Sequence, residues 1–414
     1  VNRISEKGMT MSGSTLARAG HRTQSLDVAR GISAVLVVLF HGLLVFKVNG
    51  TDDPHLLRID LNDPWLLVQH LLLGVANGPA YVTFFFVLSG TVLTLSLDRD
   101  PPAHPGAVLG YLIKRGFRLY PLLVFTAAAA ALLQLYYFGP QTYSQAASWF
   151  NNDYKIDSAR LPAEFLANAL GRSATLNGPA WSIKVEILAS AVFPLLYWLS
   201  LTATRAMVTV PLLVTAMFFA PGEAKQWHHM NVFLFSFFLG ALVPRWGWRV
   251  AAMLGQMGGW HRAMLLVALA LIFMFTRRLL DPAAFAPPLV VLLESLAAGV
   301  GVVMLFHGRD RAFFHAAPVA LLAKLSFGVY LLHAVVLSVI GRMLIPFLPD
   351  HLGPAQALGC SLLLTLATLC VTVLVAWILH NVLELPMQQL GRVIAARMAR
   401  MPSYPLVRSL RLRR

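Results

Sequence analysis

Charge is the scarcest commodity in this chain: Asp, Glu, Lys and Arg make up 12% of its 414 residues, about half the share of a soluble globular protein. Acid is scarcer than base, with 18 Asp and Glu against 33 Lys and Arg and a formal net charge of +15. Cysteine is nearly absent, and Cys360 and Cys370 fall in one apolar segment, which excludes a disulfide framework. No H-E-x-x-H or paired-Cys spacing occurs, so no metal is expected. The chain also lacks a G-x-S-x-G nucleophile elbow, a phosphate-cradling glycine loop and any internal repeat.

What fills the space is apolar. Hydrophobic residues make up 57% of the chain and the mean hydropathy is +0.67, which points to an all-α, polytopic membrane protein. Windows of about 20 apolar residues place about ten transmembrane helices near 27–47, 80–97, 119–138, 180–200, 206–220, 230–244, 262–277, 287–306, 319–345 and 356–380. An interfacial helix is expected over 65–76. Residues 1–25 read as a disordered cytoplasmic leader, 26–388 as the membrane domain and 389–414 as a basic cytoplasmic tail. Most Lys and Arg fall on the side of that tail, which places both termini in the cytoplasm. Arg277-Arg278 is the pair this count leaves on the other side. Base clustered at segment ends suits membrane lipid headgroups and argues against nucleic acid.

Within the apolar runs a few ionisable groups stand out, and such groups in a bilayer are costly and usually functional. Arg30 and His41 are eleven residues apart, about three helical turns, so they share one face and stand roughly 16 Å apart along it. The imidazole at mid-depth can serve as a general base toward a hydroxyl. Alternatively, Arg30 is a topology anchor and His41 is bonded to a neighbouring carbonyl. Arg115 and Arg118 share a face of the next basic loop and offer forks for phosphate or serve as anchors. Glu186, about two turns inside its span with Lys184 pointing elsewhere, needs a wet interior and a partner from another helix. Tyr330 and His333 are one turn apart in a late span. Phe84-Phe85-Phe86 with Ser89 and Gly90 reads as tight helix packing. Glu294 is an intramembrane acid with no evident partner, and His228-His229 beside Trp227 reads as interfacial.

Five of these stretches, in order, resemble the motifs of the integral-membrane acyltransferase family 3. They are Ser25-Leu-Asp-Val-Ala-Arg-Gly with His41, Phe84-Phe-Phe-Val-Leu-Ser-Gly, Arg115-Gly-Phe-Arg-Leu-Tyr-Pro, Pro179-Ala-Trp-Ser-Ile-Lys-Val-Glu and Ser326-Phe-Gly-Val-Tyr-Leu-Leu-His. Glu384-Leu-Pro386 resembles the family's close to the last span. The resemblance implies a ten-helix enzyme of the bacterial inner membrane that moves an acyl group, usually acetyl, from acyl-CoA to a hydroxyl of a surface or periplasmic glycan or a lipid-linked sugar. It implies catalytic roles for His41, Arg30 and Glu186, and donor binding by Arg115, Arg118 and Arg30. Trp181, Ser182, Tyr330 and His333 fall to substrate binding, and a separate periplasmic partner protein could complete the transfer. Phe327, Lys184 and Ile187 depart from the family pattern. The extra cation Lys184 makes succinyl transfer to a periplasmic glucan the alternative within the class. The rival outside it is a transporter of an acylated lipid or glycan, although such folds often carry internal repeats.

Overall fold

Proline sets many of the helix starts. Pro64, Pro105, Pro288 and Pro354 each open a helix, where a missing N–H breaks no intrahelical bond. Asp63 caps the first of these, its carboxylate accepting from the Trp65 and Leu66 N–H groups. The computed structural model describes residues 13–399, apart from 140, 154, 220–227, 285 and 309–311. In order, the helices are α1 (Gly13–Leu43), α2 (Pro64–Val75), α3 (Gly78–Arg99), α4 (Pro105–Tyr136), α5 (Ser148–Asn152), α6 (Leu161–Ala169) and α7 (Ala180–Ser200). They continue with α8 (Ala203–Phe218), α9 (His228–Gln256), α10 (Gly259–Leu280), α11 (Pro288–His307), α12 (Ala317–Leu344), α13 (Pro354–Leu379) and α14 (Leu385–Ala399). The described residues form no named strand, and the protein is a polytopic all-α membrane protein.

Nine stretches among the described residues are long and apolar enough to cross a membrane, one fewer than the ten expected. The tenth expected span is α8, an apolar helix whose 16 residues extend about 24 Å, short for a hydrocarbon core of about 30 Å. It leads from the end of α7, where Tyr197 meets Asp98, to the start of α9, where Phe233 lines the His41 cavity. The span expected over 230–244 instead continues to Gln256 with Pro244 inside the helix, a break that helices packed in a membrane tolerate. α1 begins at Gly13, so residues 13–25 of the expected disordered leader are helical. The run Leu16-Ala17-Arg18-Ala19 favours that state. α14 likewise carries helix into the expected tail, as far as Ala399. The rest of the leader (1–12), the rest of the tail (400–414), Trp227 and the side chains of His228 and His229 lie outside the described residues.

Leu132, Leu135, Leu195, Leu212, Leu363 and Leu366 face outward, a surface that hydrocarbon covers and water would not. Inside, α1 packs against α3, α12 and α13. Gly31 lets α1 lie directly on α12, since a Cβ there would sit 2.8 Å from the Ala323 nitrogen. Gly90 does the same for α3 on α9, where a Cβ would meet the Phe237 carbonyl oxygen at 2.0 Å. These close approaches of small residues fix Arg30, Ser89 and the α12 residues around one axis.

Candidate functional site

Three cavities succeed one another along that axis. The first, ≈ 410 Å³, is lined by Asp27, Arg30, Arg118, Lys324, His380 and Glu384 among others. It shares Arg30, Arg118, Ser326 and Phe327 with an adjoining constriction of ≈ 80 Å³ that is also lined by Phe85, Phe86, Ser89, Arg115, Ser182 and Glu186. Val82 and Tyr330 are shared between this neck and a third cavity of ≈ 540 Å³, which contains His41, His55, Trp149, Trp181, Arg277 and Arg278. The stripe from Arg30 to His41 therefore faces the interior of the bundle.

At the Arg30 end, every carboxylate near the passage answers a base. Arg30 Nη1 donates to Asp27 Oδ1 at 2.9 Å, an i, i+3 pair that helix spacing alone could have revealed. Glu186 finds its partner on α4: Arg115 Nη2 donates to its Oε1 at 2.5 Å, and Arg115 Nε reaches Ser190 Oγ at 3.1 Å. Ser89 Oγ lies 3.4 Å from the same carboxylate oxygen. Phe85, Phe86 and Ser89, expected as packing, thus line the neck, while Gly90 beside them makes the helix contact. Arg118 makes no hydrogen bond or ion pair among the described residues and lines both the neck and the first cavity. A π-helical turn over His380–Glu384 brings His380 Nδ1 within 3.3 Å of Glu384 Oε2 at the same cavity. Lys184 lines none of the three cavities.

At the other end two imidazoles meet. His333 Nδ1 lies 2.6 Å from the Tyr330 carbonyl oxygen and His41 Nδ1 lies 2.9 Å from that of Val37. A carbonyl only accepts, so each Nδ1 carries the hydrogen and donates it. His333 Nε2, the bare nitrogen of its neutral ring, stands 3.2 Å from His41 Nδ1 and accepts a share of the same hydrogen. These partners assign the tautomer: His41 Nε2 is the basic nitrogen, on a ring that lines the third cavity. His333 is 0% exposed and lines none of the three cavities. It stands behind His41 because its ring nitrogens are turned to protein atoms. Tyr330 Oη lies 2.8 Å from Ser182 Oγ and 3.2 Å from the Pro179 carbonyl oxygen, at the junction of neck and third cavity. Trp181 lines the cavity wall.

Sequence reasoning missed three groups here. Trp149, on α5, donates through Nε1 to the Leu44 carbonyl at 2.8 Å and sets its ring 6.3 Å from that of His41. Arg277 and Arg278, puzzling in the charge count, turn into the bundle, and Arg277 Nη2 pairs with Glu294 Oε2 at 3.3 Å. The anomaly in the count was the signal.

His55, in the short 3₁₀ turn between α1 and α2, is the third. Burial, followed by the Arg278 guanidinium and the His41 ring, holds it down at about 4. An unfolded chain protonates histidine near pH 6.5, so between these values the unfolded state binds more protons and stability rises with pH. Acidifying from pH 7 toward 4 is therefore expected to destabilise the protein. His55→Gln should flatten that dependence in thermal unfolding across the same window, and an unchanged slope would remove His55 as its cause.

No curated protein and no solved structure matches the chain. A family model described as an acyltransferase domain matches residues 23–381, a span that contains Arg30, His41, Arg115, Arg118, Glu186, Tyr330 and His333. The chain belongs to acyltransferase family 3.

Proposed function

We propose that this membrane acyltransferase takes an acyl group, acetyl by expectation, from cytoplasmic acyl-CoA and delivers it to a hydroxyl of a surface or periplasmic glycan, in the bacterial inner membrane. The observation that carries the reading is the succession of cavities from three guanidinium groups to one basic imidazole. Phosphates of the donor meet Arg118 first, because Arg115 is engaged by Glu186. Arg30, tethered by Asp27, stands at the mouth of the neck. The slender arm of the donor enters the neck, and the acceptor hydroxyl enters the third cavity. His41 Nε2 takes the hydroxyl proton, the oxygen attacks the thioester carbonyl, the C–S bond breaks and the proton passes to the departing thiolate. Glu186 holds Arg115 and His333 holds His41; both are positioning residues. On this reading the Arg30 end is cytoplasmic, as are both termini, and the glycan, with any periplasmic partner protein, meets the His41 end. Nothing about Lys184 favours a succinyl donor.

Purified protein in lipid nanodiscs with labelled acetyl-CoA tests the reading. Hydrolysis or transfer supports it, and neither turnover nor saturable binding of acyl-CoA sinks it. Arg118→Gln is expected to raise KM for acyl-CoA about 10- to 100-fold, the loss of hydrogen bonds to a charged group, with a smaller change in kcat. An unchanged KM would return Arg118 to a topology anchor.

A further inference from the structure

The third cavity is positively charged beyond what its catalytic histidine requires. Arg278 is 5% exposed and lines it, and its Nη1 has no hydrogen-bond partner. Its neighbour Arg277 is answered by Glu294; among the described residues no carboxylate answers Arg278. Among the described residues no Asp or Glu lines the cavity. The starts of α3 and α7 border it through Asn77, Gly78, Gly178 and Pro179, adding the positive ends of two helix dipoles. Burying a guanidinium without an anion is costly, and a planar fork suits carboxylate or phosphate oxygens. The lining also includes the aromatic side chains Phe40, Trp149, Trp181 and Phe233, whose faces suit a sugar ring.

We propose that the His41 cavity selects an acidic acceptor, a sugar carrying a carboxylate or phosphate group, with Arg278 binding that group while a hydroxyl of the same molecule faces His41. The proposal rests on the acyl-transfer reading for the word acceptor, but its test reads binding alone. Full-length protein in detergent is titrated with methyl glucuronide, glucose 1-phosphate and methyl glucoside, three sugars differing in charge. At least one acidic sugar is expected to bind ten or more times tighter than methyl glucoside, and which one identifies the group as carboxylate or phosphate. R278Q should erase the difference and R278K should keep most of it. Equal affinities for all three, no saturable binding of either acidic sugar, or a preference that survives R278Q would overturn the proposal. If R278Q does not fold, phenylglyoxal modification of the wild-type protein decides. The preferred acidic sugar should protect Arg278, read by mass spectrometry, and methyl glucoside should not; equal labelling with both overturns it. Acetyl-CoA turnover measured on the same samples separates failure of this inference from failure of the acyltransferase reading.

Discussion

Replacing His41 by alanine is expected to lower acyl transfer by about 10²–10⁴-fold, the range for loss of a positioned general base, with acyl-CoA binding at the Arg118 end preserved. The expectation follows from tautomer logic. Nδ1 is committed to the Val37 carbonyl and to His333, which leaves Nε2 as the one nitrogen of that ring able to take a proton. His333→Ala should cost less, because the Val37 carbonyl still holds the ring. The order of the two losses distinguishes a base from its support. Single-turnover measurements with pre-bound acyl-CoA isolate the chemical step. Transfer at wild-type rate in the His41 variant would place the base elsewhere.

The second large effect is on stability. Arg277→Met strands Glu294, a carboxylate that is 0% exposed and, among the described residues, keeps only Thr83 Oγ1, at 3.2 Å, as a hydrogen-bond donor. Removing one partner of a buried pair costs about 3–5 kcal/mol. The double variant Arg277→Met with Glu294→Met should recover most of that, since apolar residues replacing both partners are often neutral or better. Unfolding of the two variants in detergent checks the coupling. If both are destabilised equally, the ion pair does not join α10 to α11 as its geometry indicates.

What the sequence makes legible is what lies along one helix. Arg30 and His41 share a face because the helical period puts them there, and the interior passage they line follows that stripe. Pairings across helices leave no such trace. His41 and His333 are 292 residues apart, and Arg115 and Glu186 are 71 apart; the acid in the membrane announces that it needs a base without saying which. Counting Lys and Arg by side assumes that basic residues near helix ends stand in water. Arg277 and Arg278 break that assumption because they are buried, which is also why they stood out. Hydropathy marks α8 as a span without registering that the helix stops at Phe218, which leaves it the shortest of the ten.

A bundle hollow toward both its ends risks becoming a leak. The ≈ 80 Å³ constriction presents three guanidinium groups and a single carboxylate, so a hydronium or metal cation entering it meets a repulsive field, the device by which arginine bars cations and protons from water-conducting pores. On the proposed reading, the same groups that would draw a polyanionic donor to one mouth would also insulate the bilayer, so that ion gradients held across it survive the presence of the enzyme.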